Sequence, residues 1–251
     1  MKESSIWLKY GNMHLREEGA LCAVQDRNIF LEKGFKCPNC NNKLKSVDHM
    51  ATQCDRMLSH DYMRRHNEAL RCIHLQLCLN YRLTKSKKIC NHSFQECISN
   101  DLAEIRVDTR IPTGIKVKYN KPDIFILDKL RKEILIVEVG ITSFDHLHAV
   151  EVEKKHKYDL LANHCGALYG FKTRLISYVM TTYHQSYRKE LNLDKRIEAY
   201  IQSKVLKMTL ESLTMEARRS STFTECTLQE EPGSQSLNPL KTNSSPLNSC
   251  E

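Results

Sequence analysis

Lys121-Pro122-Asp123-Ile124-Phe125-Ile126-Leu127-Asp128, then Lys129-Leu130-Arg131-Lys132, then Glu133-Ile134-Leu135-Ile136-Val137-Glu138-Val139, is the stretch on which the fold turns. Two apolar runs rich in β-branched residues flank a short polar connector, the pattern of an antiparallel hairpin. Pairing across the connector sets Asp128 opposite Glu133, and the same register carried along the ladder sets Asp123 opposite Glu138. Opposed residues in such a pair share a face, with Cβ atoms about 5 Å apart. Two carboxylates facing each other on a mostly apolar sheet repel and are poorly hydrated. A divalent cation between them relieves both problems, and carboxylates at the end of a hairpin suit Mg2+. The alternative is one acid in water at a strand end and the other paired with a lysine.

Further strands are expected over residues 103–107 and 174–180, with the second strand of the hairpin running over 134–141. A helix over about 145–163 lies between the last two strands. Its apolar stripe is Leu147, Val150, Tyr158 and Leu161, and Lys154 falls in the middle of that stripe. A lysine centred on an apolar stripe calls for something acidic within reach. Lys157 lies at the stripe's edge and is the reserve, whereas Lys155 points away; the alternative for Lys154 is a snorkelling side chain with its head in water. Helices are also expected over about 16–32, 59–82 and 193–218. The whole reads as an α/β protein: a mixed sheet flanked by helices.

Ahead of this core, Cys37, Cys40, His49 and Cys54 have the spacing C-x2-C-x8-H-x4-C. Two cysteines three apart can clamp one ion from a tight turn, and a His and a Cys five apart can close the tetrahedron, as in structural Zn2+ sites. The segment has too few apolar residues to fold without such a staple. Lys36, Lys43 and Lys45 flank it. Cys72, Cys78, Cys90, His92 and Cys97 fit no standard ligand spacing, and Cys72 and Cys78 fall inside a helix, so burial is the expectation there.

The chain has 251 residues, 41% hydrophobic and 27% charged, which suits one large domain or two small ones with a globular core. No apolar run is long enough to span a bilayer, and the N-terminus lacks a secretory pattern. An intracellular location, nuclear or cytoplasmic, is therefore expected, with 11 cysteines read as metal ligands or small buried hydrophobes rather than disulfides. The net charge is +8, and residues 1–219 alone carry +11, which points to a polyanionic partner. From Arg219 onward the chain is polar, with few apolar residues to offset the entropy of ordering, so 219–251 is expected to be disordered.

Pro122-Asp123, fourteen intervening residues, then Glu138 resembles the PD-(D/E)xK nuclease core. The position two after the second acid, where that family carries its lysine, is Gly140. A lysine moved to the following helix, here Lys154, with Lys157-Tyr158 after it, resembles one branch: the restriction-like endonuclease of site-specific non-LTR retrotransposon proteins. That branch also has a CCHC knuckle before the nuclease, as at Cys37 to Cys54, followed by an Arg-His-Asn-like helix, as at Arg65-His66-Asn67. Trp7-Leu8-Lys9-Tyr10-Gly11-Asn12 and Arg16-Glu17-Glu18 resemble its linker.

The resemblance implies a linker or helical segment at 1–34, a zinc knuckle at 35–56 and a restriction-endonuclease-like domain at 57–218. It implies Mg2+-dependent hydrolysis of DNA phosphodiesters, with Asp123 and Glu138 holding the metal and Lys154 acting beside them. Lys116, Lys118, Lys121, Arg65 and Lys157 would meet nucleic acid, DNA first and RNA as a second candidate. His66 reads as a packed helix histidine. With no Tyr-x-Asp-Asp motif, the chain is expected to be a piece lacking the reverse transcriptase. The rivals are a catalytically inactive zinc-knuckle module that only binds nucleic acid, and a zinc-stabilised scaffold for protein.

Overall fold

The computed structural model describes residues 5–11, 14–30, 34–181 and 188–227. Five strands form one mixed sheet in the order β1 (Cys97–Ser99), β2 (Ala103–Val107), β3 (Ile124–Asp128), β4 (Glu133–Ile141) and β5 (Lys172–Met180). The first four pair antiparallel, and β4 pairs parallel with β5. The hairpin register is the expected one, with Asp128 opposite Glu133 and Ile124 opposite Val137. Asp128 also fixes the turn: its Oδ1 accepts the Arg131 N–H at 2.8 Å, and its Oδ2 accepts the Tyr81 hydroxyl at 3.1 Å. The short strand β1 is not legible beforehand, because three polar-flanked residues carry no period.

The parallel step needs a crossover, supplied by helix α5 (Leu147–Tyr169), which ends at Gly170 in the left-handed region (φ 65°). The other helices are α1 (Ile6–Tyr10), α2 (Leu15–Gln25), α3 (Asp55–Met57), α4 (Met63–Asn80), α6 (Arg188–Leu191) and α7 (Lys195–Thr227). The helix expected from residue 59 becomes regular only at Met63, since 58–62 form a wider π turn. At the other end α7 runs past Arg219, where disorder was expected to begin. Elongating an established helix adds one hydrogen bond per residue and needs no further nucleation. Residues 228–251 lie outside the described residues.

Strand alternation sorts the two sheet faces. Ile105, Ile124, Ile126, Val137, Val139 and Tyr178 face α4 and α7, meeting Ala69, Ile73, Leu77, Ile201 and Val205. Phe125, Leu127, Ile134 and Ile136 face α5, meeting Tyr158, Leu161, Ala162 and Cys165. Burying each large side chain contributes roughly 1.5–3 kcal/mol, so the two faces hold the sheet between helical layers. A third cluster joins Trp7, Leu21, Val24, Cys37, Val47, Met50 and Cys54 to Leu206 and Leu213 of α7. The Cys-rich segment is thus seated on the C-terminal helix by shared apolar contacts. Among the described residues, no helix is long and apolar enough to cross a membrane.

Candidate active site and metal centre

The β3–β4 ladder ends at Ile124 and Val137, and Asp123 lies one step beyond it. There its carboxylate replaces the missing backbone rung: Asp123 Oδ2 accepts the Val139 N–H at 2.7 Å. Its own carbonyl accepts the Asp108 N–H at 3.0 Å, which holds Asp123 between the ends of two strands. Glu138 sits mid-strand on the α5 face, with 5% of its surface exposed. Alternation puts it with Ile134 and Ile136, as the register requires.

Lys154 reaches Glu138 from α5. Its Nζ donates to Glu138 Oε2 at 2.9 Å, while Lys157 Nζ lies 3.7 Å from Oε1. The stripe-centred lysine therefore faces an acid, and the reserve lysine is present at longer range. Gly140 shows why the stem fits. A Cβ there would lie 2.8 Å from Lys154 Cε and 3.5 Å from Cδ. Two residues on from Glu138, Gly140 shares its face and leaves the space that the Lys154 stem occupies. Burial alone would lower the Lys154 pKa, but the Glu138 carboxylate outweighs it and holds the ammonium above its usual value. Tyr158 donates to the Lys121 carbonyl at 2.8 Å, and burial together with Glu138 pushes its phenol far up.

His66 is more than the packed helix histidine of the sequence. Buried on α4 and stacked on Tyr62, it turns Nε2 to 3.5 Å from Asp123 Oδ1. Burial would raise the Asp123 pKa, yet His66, the Val139 N–H and Lys154 together hold it below the ordinary value. No helical period could reveal this contact, because it spans two elements far apart in the chain.

Arg65 requires a correction. Expected on a nucleic-acid surface, it is 1% exposed. Its guanidinium donates to the Ala51 carbonyl and to Thr209 Oγ1, so it ties the Cys-rich segment to α7. Its neighbour His66 turns towards Asp123 while Arg65 turns inward, because adjacent helical residues point about 100° apart. Lys116 and Lys118 are exposed on the irregular segment before Asp123, and Lys121 is exposed and paired with Asp108 at 2.8 Å. Lys118 and Lys157 both lie over the Tyr119 ring, at 4.9 and 5.6 Å. Lys116, Lys118 and Lys121 precede Asp123 in the chain, whereas Lys157 comes from α5.

The second centre is the Cys-rich segment. Lys36 and Leu44 bridge antiparallel around a tight turn at Asn41 (φ 52°), which brings Cys37 and Cys40 together. The π turn that follows places His49 and Cys54 at its two ends through a Cys54 N–H to His49 carbonyl bond of 2.7 Å. Cys37 Sγ lies 3.9 Å from Cys54 Sγ, and Cys40 Sγ 3.2 Å from His49 Nε2. All four donor atoms lie within 4.8 Å of one another, a set that can hold a metal ion such as zinc. Backbone N–H groups of Asn42 and Lys43 draw the Cys40 thiol down to about 6, whereas burial pushes Cys54 up to about 11.

Among the described residues, one other set of three or more donors converges: His74, Cys78 and His92. Cys72 and Cys78 are buried as expected, whereas Cys90 and Cys97 are exposed; His74, four residues before Cys78 on the same helical face, escapes a search confined to standard spacings. Asp123 and Glu138 do not form such a set with His66.

No family model and no curated protein matches this chain. Among solved structures, an N-terminal domain of a reptarenavirus L protein matches at 13% identity over 62% of this chain and 78% of that chain. Its TM-score of 0.32 is too low to carry a functional reading.

Proposed function

We propose that the chain is a metal-dependent DNA endonuclease with a zinc knuckle, similar to the C-terminal region of site-specific non-LTR retrotransposon proteins. The observation that carries this reading is the 2.9 Å contact of Lys154 with Glu138, on the same hairpin end as Asp123.

Asp123 and Glu138 would hold Mg2+, which when bound would supply polarisation of the scissile phosphate and activation of water. Glu138 holds the Lys154 ammonium charged and in place, so positive charge is aimed where negative charge builds on the phosphate. The Val139 N–H fixes one oxygen of Asp123, and His66 steadies the other. Lys116 and Lys118 position the backbone without reading sequence. In the knuckle, Cys37, Cys40, His49 and Cys54 would hold Zn2+ as a closed structural site.

Nicking of supercoiled plasmid by the full chain with Mg2+, wild type against Asp123→Ala, tests the reaction. Anisotropy titrations with DNA at two salt concentrations test the partner, and affinity should fall steeply with salt as phosphate contacts release counterions. A second reading, a binding module without catalysis, draws on the engagement of both Glu138 oxygens by Lys154 and Lys157. It predicts the same salt dependence with no nicking.

A further inference from the structure

Helix α4 and the loop after it share a cluster that neither the sheet site nor the knuckle uses. His74 and Cys78 lie four apart on α4, so they project from one face, and each is 1% exposed. His92 comes back to them directly after the short helical turn at Ile89–Asn91. His92 Nε2 is 2.8 Å from His74 Nδ1, and Cys78 Sγ is 3.4 Å from His74 Nε2. One donor atom from each residue falls within 4.8 Å of the other two. The three line a cavity of about 230 Å3 together with Leu83, Thr84 and Asn91.

We propose that His74, Cys78 and His92 bind a second zinc ion, which pins the loop of residues 83–96 to α4. One thiolate sulfur with two imidazole nitrogens is a borderline-soft donor set, suited to Zn2+ and poor for Mg2+ or Ca2+. The fourth position falls to a water from the cavity.

The loop needs a pin. It is long, has one short helical turn, and exposes Lys85, Lys87 and Lys88. Ile89 and Leu83 only partly pack on the core, and the Arg71 guanidinium holds the Ile89 carbonyl. Connections of this length without regular structure are uncommon unless something specific orders them. The loop's last residue, Glu96, accepts the Val107 N–H at 3.0 Å, so the pin also sets where the edge strand β1 begins. The same geometry without metal is a neutral hydrogen-bonded chain from the Cys78 thiol through His74 to His92.

Zinc counting on the purified full chain separates the two. This test is independent of the endonuclease reading, since it asks nothing about DNA. Wild type should hold two zinc ions per chain. His92→Ala, on the loop and outside the helical core, should hold one, as should Cys78→Ser. Cys40→Ser should keep one ion, at the new site. Cobalt substitution of Cys40→Ser should give tetrahedral visible bands that His92→Ala added to it removes. In His92→Ala, trypsin cleavage after Lys85, Lys87 and Lys88 should quicken several-fold with the knuckle still loaded. A zinc content that is the same in wild type and His92→Ala, whether one ion or two, overturns the proposal.

Discussion

The Lys154 ammonium donates to Glu138 Oε2 at 2.9 Å, and its stem crosses the space that Gly140 leaves empty. The relationship joins a helix to a strand through an absent side chain. Gly140→Ala would place a Cβ 2.8 Å from Lys154 Cε and push that flexible stem aside. Moving the ammonium off the buried Glu138 carboxylate should cost stability as well, about 1–3 kcal/mol. Nicking should fall clearly, towards the roughly 100-fold or greater loss expected of Lys154→Ala. Denaturant unfolding and plasmid nicking on the same preparations check both. Unchanged nicking in Gly140→Ala would show that the placement of Lys154 does not matter.

Asp123 gives a pH dependence with a definite sign. Its folded pKa lies below the ordinary value, despite burial, because of His66, the Val139 N–H and Lys154. A depressed acid contributes stability above its unfolded pKa and loses that contribution as pH falls through the folded value. Wild type should therefore lose stability on acidification below the ordinary carboxylate range more steeply than Asp123→Asn does. Parallel acid slopes in urea unfolding of the two proteins would remove this role of the carboxylate.

Much of this site was legible in advance because hairpins and helices obey short periods. The connector Lys129-Leu130-Arg131-Lys132 set the register, and with it the shared face of Asp123 and Glu138. Helical spacing singled out Lys154. What escaped depends on contacts between distant elements. Neither the approach of His66 on α4 to Asp123 nor the convergence of His74 with His92 has a local signal. Arg65 misled because a basic residue beside a histidine says nothing about which one turns inward.

Arg65 now predicts a stability phenotype. Its guanidinium is enclosed between the Ala51 carbonyl and Thr209, and burial lowers its pKa to about 10. Arg65→Ala should destabilise by about 1–3 kcal/mol or more, from the buried groups left without partners. DNA affinity of the protein that remains folded should hold. A selective loss of DNA binding with full thermal stability would return Arg65 to the interface.

The knuckle cysteines should differ in reactivity. With metal removed by a chelator, Cys40, drawn down to about 6 by the backbone N–H groups of Asn42 and Lys43, should be alkylated at neutral pH well before buried Cys54. Zinc should protect both. Peptide mass spectrometry of iodoacetamide-treated protein reads the order, and equal rates with and without zinc would argue against metal at this cluster.

The central claim is that Asp123, Glu138 and Lys154 form one hydrolytic site. Its most direct measurement is Mg2+-dependent nicking of supercoiled plasmid by the full chain under single-turnover conditions, with DNA affinity measured alongside. The account predicts nicking by wild type, none by Asp123→Ala or Glu138→Ala, and DNA affinity in those variants equal or higher because negative charge has been removed. Nicking that survives in Asp123→Ala, or a wild type that binds DNA without cutting it at any Mg2+ concentration, would contradict it.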